Sequence, residues 1–213
     1  MNVKNPQTRD LNTLLCENNI TLDSAQIALL ESYTALLLRW NETHNLSGAR
    51  TIEGMHENIV DSLCPLHFLQ SFKSALDIGS GGGFPAISLS IARQNATFSL
   101  LEPRAKRFSF LQNVICELGL KNVSVYKARL ESLNALFPNS PLQVDLITSR
   151  AVMPASKLMK MARGFLSKNG YFLLFKGSQF GANLKQEIPN ASQNECFTRN
   201  DRIYFYTKNS FDF

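Results

Sequence analysis

The chain has 213 residues, 44% of them hydrophobic and 18% charged, with a net charge of +5 and a sequence pI near 9.1. That composition fills one domain with a modest extension and excludes a disordered chain. There is no run of about 18 apolar residues, so no membrane span is expected, and the positive balance favours a polyanionic partner.

The first residues, from Met1 to Pro6, carry no apolar signal region, so a cytoplasmic protein is expected. Cys16, Cys64, Cys116 and Cys196 are far apart and lack metal-ligand spacing, so they read as buried or incidental thiols and no metal is expected. Residues 1–70 read as a helical extension. Leu11, Leu14, Leu15 and Ile20 suggest a first amphipathic segment. Residues 21–23 cap a second helix running to about Trp40, with Ile27, Leu30, Tyr33 and Leu37 in a wide apolar face. Residues 41–48 are a polar break. A third helical stretch begins near Thr51 and reaches Leu69.

From Ser74 the pattern becomes alternating strands and helices, and residues 71–213 read as the core. Ala75, Leu76 and Ile78 form a short buried strand, followed at once by Gly79, Gly81, Gly82 and Gly83. Pro85 is preset for the first turn of a helix of small apolar residues. Strands follow at 97–102, 123–126, 144–148 and 171–175, with helices opening at Pro103 and Pro154, the latter running to about Leu166. Residues 137–141 read as a loop, and Asn169 with Gly170 as a turn into the fifth strand. A strand near Cys196 and another at 202–207 suggest an antiparallel hairpin at one edge. The expected fold is α/β: a mostly parallel seven-stranded sheet with a helical extension in front.

Strand, glycine loop and helix open a nucleotide-binding unit, whose bare amides can approach a ligand closely. Which nucleotide is the next question. Counted from Gly81, the dinucleotide pattern G-x-G-x-x-G/A is met at Ala86, but Pro85 and the early Asp77 fit it badly. The pattern Asp-x-Gly-x-Gly-x-Gly is filled by Asp77, Gly79, Gly81 and Gly83. A strand-end acid suits a ligand with a cationic amino group, which S-adenosylmethionine has. Glu102 ends the second strand about 20 residues on, where a ribose-binding acid is expected. Alone it would read as a solvated surface residue.

Together these residues resemble the RsmG (GidB) family. The resemblance rests on the run from Asp77 to Pro85, on Lys106-Arg107 and Phe110-Leu111, on Thr148-Ser149-Arg150-Ala151 and on Phe175-Lys176-Gly177. Trp40-Asn41, Asn45-Leu46-Ser47 and Asp61-Ser62-Leu63 extend it into the helical part. It implies a Rossmann-like methyltransferase fold and transfer of a methyl group from S-adenosylmethionine to guanine N7 in 16S ribosomal RNA. By position it puts Gly79 and Phe84 around the donor's methionine and ribose, Leu130 and Glu131 beside the adenine, and Arg150 at the mouth. Read without the family, Leu130 is equally a core residue and Arg150 equally a surface ion pair. Lys176, at the end of a central strand, suits phosphate contact or substrate orientation. The family commonly has an Arg-His pair where this chain has Glu57-Asn58, so no role of that pair carries over. His56 is shifted on the helix and is expected at the surface.

Guanine N7 has a free lone pair and no proton to lose, so its methylation needs no general base and no catalytic residue is named. Arg39, Arg50, Arg104, Lys106, Arg107, Lys127, Arg129, Lys157, Lys160 and Arg163 are candidate RNA contacts or simply a solvated surface. The expected partner is 16S ribosomal RNA or the small subunit, met by a monomer with no membrane contact. Three other functions stay open: a methyltransferase for a small molecule or protein, an RNA-binding module with a vestigial pocket, and a nicotinamide oxidoreductase.

Overall fold

The computed structural model describes residues 9–44, 46, 48–138, 142–150 and 152–209. Its sheet grows from short apolar runs that are buried on both faces, as parallel strands under two helical layers must be. The strands are β1 (Ser74–Ile78), β2 (Thr97–Leu101), β3 (Val123–Tyr126), β4 (Val144–Arg150), β5 (Leu166–Gly177), β6 (Cys196–Arg199) and β7 (Arg202–Lys208). Their order is β3-β2-β1-β4-β5-β7-β6. The first five are parallel, and β7 pairs antiparallel with both β5 and β6. The expected seven strands and edge hairpin are both present. The chain leaves β1 towards β2 and β3, then returns to β1's other side with β4. The carboxyl ends of β1 and β4 therefore flank a topological switch point, the usual ligand crevice of an open α/β sheet.

The helical part comprises α1 (Leu11–Glu17), α2 (Ser24–Asn41) and α3 (Ile52–Leu63). Asp23 caps α2 in a reciprocal box: its side chain accepts from the Gln26 amide at 2.8 Å, and Gln26 accepts from the Asp23 amide at 3.0 Å. Such a cap contributes about 1 kcal/mol. Gln26 also donates to the Ile91 carbonyl, at the end of α4 (Ala86–Ala92). The apolar stripe of α2 lies on α4 and on α5 (Ala105–Glu117). Leu11, Leu30, Tyr33 and Leu37 share one continuous apolar cluster with Ile87, Phe98 and Phe110. The second face of the sheet is covered by α6 (Leu133–Leu136), α7 (Ala155–Ala162), α8 (Gln179–Ala182) and α9 (Leu184–Glu187), over Leu76, Ile147 and Phe172.

Three expectations change. Asn169 and Gly170 do not turn into β5 but lie within it. Three residues of β4, Val144 to Leu146, face six of β5, Leu166 to Tyr171, so the extra residues bulge in place. A side chain at 170 would meet Leu166 at 2.7 Å and the Asp145 carbonyl at 2.9 Å, so only glycine passes there. The helix from Pro154 stops at Ala162, followed by a single tight turn over Arg163–Phe165, and Leu166 already belongs to the sheet. His56 is not at the surface: it is 3% exposed, with Nε2 2.9 Å from Glu31. It sits on the inner face of α3 at helical spacing with Ile59, Val60 and Leu63, and that face packs inward. The expected loop at 137–141 and the motif positions Asn45, Ser47 and Ala151 lie wholly or partly outside the described residues.

Candidate active site

The loop after β1 is tied to β2 on one side and to α2 on the other. The amides of Gly79 and Ser80 donate to the Leu101 carbonyl at 2.9 and 3.0 Å, and Gly83 donates to Ser80 at 2.7 Å. Gly81 donates to Glu102 Oε2 at 2.9 Å, while Arg104 donates to Oε1 at 2.8 Å. The amides of Gly79, Ser80, Gly81 and Gly83 are thus used by the protein. The glycines supply room rather than donors. At Gly83, φ is +99°, and a side chain would stand 2.7 Å from Ile87 and 2.8 Å from the Tyr33 hydroxyl.

Tyr33 is fully buried and donates to the Gly82 carbonyl at 2.5 Å, with its ring 5.4 Å from that of Phe84. Burial raises its phenol pKa well above the ordinary value, so it stays a donor. The helical extension thus fixes the shape of the loop. Tyr33→Phe leaves a buried carbonyl unpaired, at a cost of about 1–2 kcal/mol. Urea unfolding should read that loss, and a several-fold weaker donor affinity should accompany it. An unchanged affinity would mean that α2 has no part in shaping the site.

Asp77 lies beneath the loop, 1% exposed, with Oδ1 accepting from the Thr148 hydroxyl at 2.6 Å. Oδ2 is buried and has no partner among the described residues. Burial pushes the Asp77 carboxyl up to about 6, although the nearby Ser80 hydroxyl, which donates to the Asp77 main-chain oxygen at 3.3 Å, and the Thr148 hydroxyl favour its anion; the neighbouring Glu102 raises it further. An orphaned carboxylate oxygen under a glycine loop is the feature that a cationic ligand group would satisfy.

Above the loop is a cavity of about 270 Å³, walled by Gly79, Gly81, Gly82, Phe84, Arg107 and Arg150, with Asn58 at its side. Arg150 ends β4. It donates to Asn58 Oδ1 at 2.7 Å, stands 3.6 Å from Asp61 and lies 5.9 Å from the centre of the Phe84 ring. Burial draws its pKa below the usual arginine value, while the Asp61 carboxylate supports its charge. Asp61 also accepts from Arg202 through both oxygens, at 3.0 and 3.2 Å, and from the Tyr204 hydroxyl at 2.8 Å.

The structure therefore gathers Gly79, Gly81, Phe84 and Arg150 around one cavity; Asp77, in β1, and Glu102, bonded to the Gly81 amide, are buried and do not belong to its walls. Glu102 is 2% exposed and turned into the loop, leaving a second lone pair on each oxygen. Leu130 and Glu131 follow β3, two strands from β1, and do not wall this cavity. Leu130 is buried in the second apolar cluster, and Glu131 is exposed. Lys176 faces the Met153 carbonyl at 3.4 Å and Glu187 at 3.5 Å, over the Phe180 ring. Sequence reasoning missed Tyr33 and Asn58 as site residues and took Arg107 only as a candidate RNA contact or solvated surface residue. Only Arg107 carried a local signal, through the Lys106-Arg107 pair of the resemblance.

Solved methyltransferase structures share this fold. A ribosomal protein L11 methylase from Lactobacillus delbrueckii subsp. bulgaricus superimposes with a TM-score of 0.54 at 13% identity, over 72% of this chain and 79% of that one. Coclaurine N-methyltransferase bound to N-methylheliamine and SAH gives 0.51 at 18% identity, over 78% of this chain and 54% of that one. Sequence relatives are much nearer. The Ribosomal RNA small subunit methyltransferase G of Helicobacter hepaticus is 52% identical over 170 residues, covering 80% of this chain and 88% of the relative. That of Aliarcobacter butzleri is 39% identical over 200 residues, covering 93% and 98%. The family model described as rRNA small subunit methyltransferase G matches residues 26–204, which takes in most of α2, the glycine loop, Arg150 and the start of β7, and the chain belongs to that family.

Proposed function

We propose that this protein transfers a methyl group from S-adenosylmethionine to N7 of a guanine in 16S ribosomal RNA, in the cytoplasm. The observation that carries the reading is the unpartnered Asp77 oxygen beneath the glycine loop at the switch point. The donor's ammonium gives that oxygen the partner it lacks. Gly79, Gly81 and Phe84 leave space for the methionine and ribose parts, and Glu102 offers its remaining lone pairs to ribose hydroxyls. Arg150 stands at the mouth. Leu130 and Glu131 take the adenine end in this reading, on the same rim of the sheet and farther along it.

S-adenosylmethionine, when bound, supplies an electrophilic methyl group on a positively charged sulfur. The N7 lone pair forms the new carbon–nitrogen bond as the carbon–sulfur bond breaks, and that bond's electron pair stays on sulfur. Positive charge passes to the base and no proton moves. The chain's work is then to hold both partners in line, which supplies on the order of 7–11 kcal/mol. N7 lies in the deep, narrow major groove of A-form RNA, so the target must be unpaired or turned out of its helix.

Mapping N7-methylguanine in ribosomal RNA from cells lacking this protein tests the reading. One modified guanine should vanish and return with the wild-type gene, but not with Asp77→Asn. An unchanged modification map would contradict it.

A further inference from the structure

A second cavity of about 590 Å³ adjoins the first, and Arg150 and Asn58 belong to the walls of both. Its other walls come from Glu57 and Asp61 of α3, from the end of β5 at Gly177, and from the β6–β7 hairpin. The hairpin contributes Arg199, Asn200, Asp201 and Arg202, with Asn200 at a φ of +50° in its turn. Most of these charges are already engaged. Asp61 is held by Arg202 and Tyr204, and Glu57 accepts from Arg199 at 2.9 Å. Asp201 is different: it is exposed at the rim and has no partner among the described residues.

A phosphate alone would gain from the arginines and lose against the carboxylates. A ligand with acceptors on one edge and paired donors on another suits both. Guanine is such a ligand. Its N7 and O6 accept along one edge, and its N1–H and 2-amino group donate along the other. A carboxylate takes both donors at once, whereas adenine presents an acceptor at N1 and is repelled. With the acceptor edge turned to Arg150 and the glycine-loop cavity, the donor edge faces away, towards the hairpin.

We propose that this second cavity receives the target guanine, and that Asp201 is the specificity-determining residue that accepts from its N1–H and 2-amino group. The inference rests on the RNA-methylation reading above. Arg199 and Arg202 then lie where the nucleotide's phosphate enters, and Arg150, a wall of both cavities, borders base and donor without separating them.

Inosine lacks the 2-amino group but keeps N7, which makes the test specific. Wild-type protein and Asp201→Asn are assayed on ribosomal RNA carrying guanine or inosine at the modified position, free and assembled into small subunits. Wild type should prefer guanine by about 10–100-fold in kcat/KM, the effect of one charge-assisted hydrogen bond. Asp201→Asn should lose about that factor on guanine and show little further loss on inosine, with donor affinity unchanged. The inference fails if wild type treats the two bases alike, or if the variant keeps the wild-type preference. If wild type methylates neither RNA in either form, the RNA-methylation reading fails and takes this one with it.

Discussion

Asp77→Asn should weaken S-adenosylmethionine binding about 10–100-fold at pH 7 while making the free protein more stable. In the proposed reading Asp77 is the anion opposite the donor's ammonium, and its removal forfeits a charge-assisted contact of about 1.5–3 kcal/mol. The gain in stability follows from linkage. The Asp77 carboxyl sits at about 6 in the folded protein and at 3.8 as a free side chain. Between those values the folded state binds more protons than the unfolded state, so stability falls as pH rises through the window. By pH 7 the buried anion costs on the order of 2–3 kcal/mol. Asparagine keeps the oxygen that accepts from Thr148 but buries an amide without a partner, which takes back about 1 kcal/mol. The net expectation is a variant more stable by about 1–2 kcal/mol at pH 7, with the advantage gone at pH 4. Urea unfolding at the two pH values reads it. A variant that is less stable at pH 7 and still binds the donor would contradict both halves.

Asp61→Ala should cost about 3 kcal/mol of stability, one of the larger losses open to a single substitution outside the apolar core. The carboxylate is 6% exposed and accepts from Arg202 and Tyr204 while standing beside Arg150. Its removal leaves two guanidiniums and a phenol facing one another. Burial and the Asp61 charge keep the Tyr204 phenol protonated, so its hydrogen becomes an orphan. Both arginines retain partial access to water, 22% and 25% by side chain, which holds the loss at the lower end of the range for buried pairs. Methylation should fall further than donor binding, because Arg150 keeps its bond to Asn58 but loses the acid that fixes its other side. A stability loss under about 1 kcal/mol would show that the network is hydrated and loose.

The parts of the site that are contiguous in sequence were readable from it. Asp77, the four glycines and Phe84 follow one another, and their chemistry is set by local spacing. The sheet was readable for the same reason, since each strand is an apolar run between turn residues. What joins distant segments was not. Tyr33 reaches Gly82 across 49 residues, Arg150 reaches Asn58 across 92, and Arg202 reaches Asp61 across 141. On a helical wheel Tyr33 is one more apolar position of α2, and nothing local marks its hydroxyl as the loop's anchor. Asn169-Gly170 misled because the same dipeptide that makes a turn also fits a bulge, and only the unequal pairing of β4 with β5 distinguishes the two. His56 misled because a histidine on an apolar face is buried when a partner such as Glu31 lies within reach.

Titrating the protein with S-adenosylmethionine by calorimetry at pH 5 and pH 7 tests the donor site most directly. With the Asp77 carboxyl at about 6, its anion rises from roughly a tenth to nine-tenths of the population, so affinity should strengthen about tenfold. In Asp77→Asn that dependence should be flat. Equal wild-type affinity at both pH values, or no heat at either, would contradict a donor seated over Asp77.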